Sequence, residues 1–182
     1  MTVMADLRDA DRSLTRRAIS WDSPWAQRLL PPVEEAAEHT KLWWGAAVVM
    51  AAAGGWRGRT AAAAGLGAMA VAQVLANGVA KQLYHRRRPP EEWVPAEDLE
   101  DRPDSSSFPS GHTAAAFAFT GAVAPVWPVA GALCAVPAVM VAAERVHSGA
   151  HYPSDVAVGG AIGLAAAAVV RAAPRLRWRH AL

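Results

Sequence analysis

The chain is predicted to be an all-α membrane bundle of about five apolar helices, preceded by an amphipathic N-terminal segment, with its polar chemistry gathered at one membrane face. Three observations predict this. Of the 182 residues 53% are hydrophobic, with Ala and Val dominant, the composition of helices that pack closely through small side chains. Charge is concentrated in a few stretches that punctuate these apolar runs. Several of the runs approach or exceed the roughly 20 residues that a membrane span needs. Mean hydropathy is only +0.11, so the assignment rests on where the apolar residues lie and not on the average.

The length suits one domain and is too short for two large ones. It divides into an amphipathic N-terminal segment (1–41), a helical domain (42–173) and a basic tail (174–182). A net charge of +2 spread over several basic clusters is not the footprint of a nucleic-acid binder. The single Cys134 excludes an internal disulfide and is expected to pack within its apolar run. The N-terminus carries Asp6, Arg8, Asp9, Asp11 and Arg12 where a cleavable secretory signal needs an apolar core, so no such signal is expected.

In chain order, Leu7, Leu14, Ala18 and Trp21 recur at helical spacing before Pro24, Pro31 and Pro32. This fits an amphipathic segment on the bilayer surface with Trp21 and Trp25 as interfacial anchors, and equally a partly disordered tail. The first apolar stretch, 42–55, is short for a span; the second, 60–83, is Ala-rich and interrupted by Gln73 and Asn77. An acidic loop, 91–104, is the longest excursion from the bundle, suited to screening or covering a site. The apolar run from 113 to 143 contains Pro125 and Pro128. It is too long for one span and is predicted to form two antiparallel helices with a turn at 124–129. A last helix over about 156–170 carries Gly159, Gly160 and Gly163, which permit close packing.

Three polar islands separate these helices. Lys81 and Arg88 close the second; Ser110, Gly111 and His112 open the third; Arg145, His151 and Asp155 lie between the fourth and fifth. If the four helices after residue 60 alternate in direction, all three islands meet at one face. The segment Ser105–Thr113 reads as an anion site at a helix start: Pro109 disfavours helix before it, Ser110 can cap, and Gly111 lets the backbone approach a ligand. Lys81, Arg88 and Arg145 suit phosphate oxygens. Two histidines and a carboxylate supply a nucleophile, an acid and an orienting group.

These islands resemble the three signature motifs of the type 2 phosphatidic acid phosphatase superfamily, which includes membrane lipid phosphatases, bacterial acid phosphatases and vanadium haloperoxidases. Lys81, Arg88 and Pro89 match the first, Pro109–His112 the second, and Arg145, His151 and Asp155 the third, with Glu144 where the family usually has Ser. The resemblance implies that His151 attacks phosphorus to form a phosphohistidine, with Asp155 hydrogen-bonded to its ring. It implies that His112 protonates the leaving oxygen and then activates water, while Lys81, Arg88, Arg145, Ser110 and the Gly111 amide bind phosphate. It requires no metal or other cofactor. Glu144 either pairs with Arg145 or faces away and ends the helix; because helical neighbours do not share a face, the second is expected. His85 and His147 fall outside the pattern.

The expected function is an integral-membrane phosphatase of the cell membrane acting on a lipid phosphate monoester or diphosphate, such as phosphatidate, phosphatidylglycerophosphate or a polyprenyl (di)phosphate. Alternatives are a haloperoxidase-like enzyme, since vanadate could occupy the same cradle, and a non-catalytic membrane scaffold. More Lys and Arg fall on the motif side than opposite it, which would place the site in the cytoplasm, although catalytic cations inflate that count. Small-residue helix faces would allow a homodimer without demanding one.

Overall fold

The computed structural model describes residues 2–94, 99, 102 and 104–179, and side chains of the last helix as far as residue 173. Parts of the expected acidic loop, at 95–98, 100, 101 and 103, lie outside the described residues, as do the side chains of the basic tail.

Two amphipathic helices come first, α1 (Thr2–Ile19) and α2 (Pro24–Ala37). Pro24 opens α2, where a missing N–H costs nothing. Pro31 and Pro32 lie inside α2 and do not end it; α2 packs along the fourth apolar helix, and tertiary contact outweighs the lost hydrogen bonds. A turn with left-handed His39 and Thr40 leads into α3 (Lys41–Ala53). Gly54 and Gly55 reverse the chain into α4 (Gly55–Leu83), whose stretch Val74–Ala80 is π-helical. Then follow α5 (Gly111–Val123), α6 (Pro128–His147) and α7 (Pro153–Arg179). Among the described residues, five apolar helices and an N-terminal amphipathic pair thus make up an all-α fold. The turn between α5 and α6 falls at 124–127 as expected, whereas α7 begins earlier and runs further than 156–170. Pro153 suits a first helical turn, and Asp155 in that turn complements the helix dipole.

Among the described residues, three helices are long and apolar enough to cross a membrane: Gly55–Leu83, Pro128–His147 and Pro153–Ala173. Their outward faces carry Val74, Leu83, Val129, Leu133, Val136, Leu164 and Val169 in exposed positions, a surface that water would penalise and hydrocarbon would not.

Helix α5 is the centre of the bundle, packed against α4, α6 and α7. Its Ala114, Ala115, Ala116, Ala118, Phe119, Ala122 and Val123 are buried. Phe119 stacks at a tilt on Trp43 of α3, ring centroids 5.4 Å apart, and occupies space left by Gly65 of α4, where a Cβ would come within 2.8 Å of the ring. On the other side, Gly159 and Gly163 of α7 lie against the carbonyls of Ser110 and Ala114. Between helices in lipid, the gain comes from close van der Waals contact, which small residues permit. This packing fixes the start of α5, and with it the site.

Candidate active site

The fold brings the three polar islands to one end of the bundle. A cavity of about 380 Å³ is lined by Gln73, Asn77 and Lys81 of α4, by Arg88 and Ser105, by Gly111 and His112 at the start of α5, by Arg145 near the end of α6, and by His151. Asn77 and Lys81 stand one and two turns beyond Gln73, so α4 presents one face to the cavity. A Cβ at Gly111 would come within 2.6 Å of Asn77 Oδ1 and would have to displace the Asn77 amide. Two of the residues singled out in the sequence, Ser110 and Asp155, are fully buried behind this lining.

His151 is buried, and its Nδ1 lies 2.5 Å from the Ser107 carbonyl oxygen. A carbonyl only accepts, so Nδ1 carries the proton and Nε2 keeps its lone pair. Burial, reinforced by the Arg88 guanidinium, pushes the imidazole well below its ordinary pKa of 6.5, which keeps it neutral and nucleophilic. The expected direct bond from Asp155 is not made: Asp155 Oδ2 stands 3.9 Å from Nδ1. It accepts instead from the Tyr152 N–H at 2.9 Å, while Oδ1 accepts from Arg86 Nη1 at 2.6 Å. The Ser107 carbonyl takes the place of the carboxylate at Nδ1.

Ser110 acts as the cap of α5. Its Oγ lies 2.9 Å from Thr113 Oγ1 and accepts from the Thr113 N–H, so its hydroxyl is turned to the helix and not to the cavity. Lys81 Nζ donates to Ser105 Oγ at 3.3 Å. Arg88 donates from Nε to the Ser105 carbonyl at 3.1 Å and from Nη1 to the Ala150 carbonyl at 2.7 Å. Burial, with Arg102 and Arg145 nearby, brings its guanidinium down to about 10, still charged at neutral pH. The two cations are therefore seated on neutral acceptors, which leaves their charge available to an anion.

Arg145 differs. Its Nε is hydrogen-bonded to Glu144, and its Nη2 donates to Glu34 Oε1 of α2 at 2.5 Å. Glu144 is buried, which corrects the expectation that it faces away: helical neighbours diverge at Cβ, but the arginine stem is long enough to fold back onto the preceding carboxylate. A second cavity of about 580 Å³ shares Gln73, His112 and Arg145 with the first and is walled by Glu34, Glu35 and Glu38 of the N-terminal region.

Sequence reasoning missed Ser107, Glu34, Asp11 and Arg86. Arg86 is hidden in a run of three arginines, and Asp11 and Glu34 lie over a hundred residues from Ser154 and Arg145. His147 Nδ1 donates to the Ala18 carbonyl oxygen at 2.7 Å, tying α6 to α1; His85 is exposed. Among the described residues no cluster of three or more His, Cys, Asp or Glu side chains is placed to hold a metal ion.

The sequence pattern of the PAP2 superfamily matches residues 61–179, well over half of the chain. No curated protein matches. Among solved structures, the chain is similar to the first transmembrane PAP2 type phosphatidylglycerolphosphate phosphatase from Bacillus subtilis, with a TM-score of 0.72, 21% identity, and coverage of 93% of this chain and 87% of that one. It is also similar to LpxE of Aquifex aeolicus, with a TM-score of 0.65, 23% identity, and coverage of 87% and 92%. At these identities the likeness is one of fold.

Proposed function

The chain belongs to the PAP2 superfamily, and from that membership we propose that it is a multi-pass phosphatase of the cell membrane that hydrolyses a lipid phosphate monoester or diphosphate through a phosphohistidine, without a metal. The observation that carries the reading is His151, with Nδ1 committed to the Ser107 carbonyl, in the wall of a cavity that also holds His112 and the cations Lys81, Arg88 and Arg145.

In the first step the Nε2 lone pair attacks phosphorus and the bond to the leaving oxygen breaks, with His112 giving that oxygen a proton. His112 then takes a proton from water, which attacks phosphorus; the P–N bond breaks and inorganic phosphate leaves. Lys81, Arg88 and Arg145 stabilise charge on the non-bridging oxygens, helped by the Gly111 amide at the positive end of α5. Asp155, 3.9 Å from Nδ1, stabilises the positive ring of the intermediate by its field. The Ser110 hydroxyl contributes by holding the helix start. The exposed aliphatic faces of α4 and α6 suit a substrate whose tail remains in lipid.

The test is phosphate release by the detergent-purified protein, with chelator present, from phosphatidate, phosphatidylglycerophosphate and polyprenyl phosphates and diphosphates, beside His151→Ala. Chelator-resistant release that the substitution abolishes is the expected result. Full activity in the substituted protein, or release that depends on added metal, would overturn the mechanism.

A further inference from the structure

A buried polar cluster joins α1 to the far side of His151, and the mechanism above does not use it. Asp11 on α1 is 8% exposed and its carboxylate is fully engaged. Its Oδ2 accepts from Arg86 Nη2 at 2.8 Å and from Ser154 Oγ at 2.5 Å, and its Oδ1 accepts from the Ser154 N–H at 3.0 Å. Arg86 donates from Nη1 to Asp155 Oδ1 at 2.6 Å, and its guanidinium lies 4.1 Å over the Tyr152 ring. Its main chain is held as well: the Arg86 N–H donates to Ser106 Oγ at 3.0 Å, and its carbonyl accepts from the Ser107 N–H at 3.0 Å. Arg86 therefore grips both groups that face the His151 ring, the Ser107 segment through its backbone and Asp155 through its side chain.

We propose that α1 completes the active site, with Asp11 acting through Arg86 as a positioning residue that fixes Asp155 and the Ser107 carbonyl, and through them the ring of His151. The proposal rests on the histidine mechanism given above. A planar guanidinium shared between two carboxylates has one orientation. Without Asp11, the half-buried cation turns to find a new acceptor and carries Asp155 with it. Arg86→Lys keeps the charge but cannot span both carboxylates.

The experiment compares the full-length protein with Asp11→Asn, Arg86→Lys, the double variant, and Asp9→Asn on the exposed surface of α1 as a control. Two quantities are read: kcat and KM on the preferred lipid phosphate, and the ring-nitrogen NMR signals of labelled His151. Asp11→Asn should lower kcat about tenfold, the scale of loss when an orienting partner of a functional histidine is removed, with KM within about twofold. In the Arg86→Lys background it should change kcat by less than about twofold, because the two residues act as one unit. The His151 signals should shift in each variant and not in Asp9→Asn. Should Asp11→Asn fail to fold, Ser154→Ala, which removes the hydroxyl that donates to Asp11 and accepts from Arg86 Nη1 and keeps the Asp11–Arg86 ion pair, is expected to lower kcat to a smaller extent. Unchanged kcat, multiplicative losses in the double variant, or a loss confined to KM would overturn the proposal while leaving the phosphatase reading intact. If the unaltered protein releases no phosphate, the phosphatase reading fails, and an unmoved His151 signal in Asp11→Asn then overturns the positioning role independently.

Discussion

Glu34→Gln should make the protein bind phosphate better. Arg145 is one of three cations proposed to receive the substrate, yet its Nη2 is already taken by Glu34 Oε1 at 2.5 Å. A phosphate seated on Arg145 has to displace that carboxylate or share the guanidinium with it. Arg145 is 8% exposed at its side chain and Glu34 is 41% exposed, so the pair is partly screened and is placed near the upper end of surface pairs, about 1 kcal/mol. With 1.4 kcal/mol per factor of ten, removing the competing charge should tighten binding about fivefold. Glutamine keeps the length and an acceptor, so α2 should stay seated. The assay is KM on the preferred lipid phosphate at fixed detergent ratio, together with competitive inhibition by orthovanadate. Both constants should fall about fivefold, with kcat within about twofold. If both rise or stay constant, Glu34 orients Arg145 and does not compete with the substrate.

Other consequences are more direct. His151, pushed down by burial and Arg88, should remain neutral in ring-nitrogen NMR as pH falls through 6.5; a midpoint at or above 6.5 would contradict the described environment. Because its folded-state pKa lies below the unfolded value, the folded state binds this proton less readily, so its contribution to stability is complete above about 6.5 and is lost as pH falls below it. Gly159→Ala puts a methyl group against the Ser110 carbonyl, an overpacking that should cost about 1–3 kcal/mol, seen as a lower melting temperature in detergent along with reduced activity. Ser110→Ala should cost about 1 kcal/mol of stability as a lost cap, with KM changed less than by Lys81→Ala; a KM rise equal to that of Lys81→Ala would return the hydroxyl to the phosphate cradle.

The convergence of Lys81, Arg88, His112, Arg145 and His151 was legible because alternating helix directions place their segments at one end whatever the details of packing. The central position of α5 was not, since 113–143 is apolar apart from Thr113 and Thr120 and shows no face to distinguish a core helix from a lipid-facing one. Contacts made by N-terminal carboxylates were also beyond reach. Asp11 and Glu34 look like ordinary members of a charged amphipathic segment, and only the folded chain reveals that each meets an arginine. The Glu144 expectation failed because it followed Cβ directions, while the outcome was decided by the length of the Arg145 side chain. Pro31 and Pro32 show a related limit: local propensity alone marks a break there, and packing against α6 keeps the helix.

The π stretch Val74–Ala80 carries Asn77 within it and separates Gln73 from Lys81, the other two side chains that α4 contributes to the cavity. A wide turn of this kind holds one residue more than an α-helix of the same rise, so it sets the phase of everything that follows it. Removing a single residue there would rotate Lys81 by about 100° about the helix axis, carrying its ammonium off the cavity face while leaving every amino acid of the three motifs in place. Descendants of this chain should therefore tolerate substitutions among Val74, Leu75 and Val79, which face outward, far better than insertions or deletions, and a length change in this segment would mark a lineage in which the lysine has been given up.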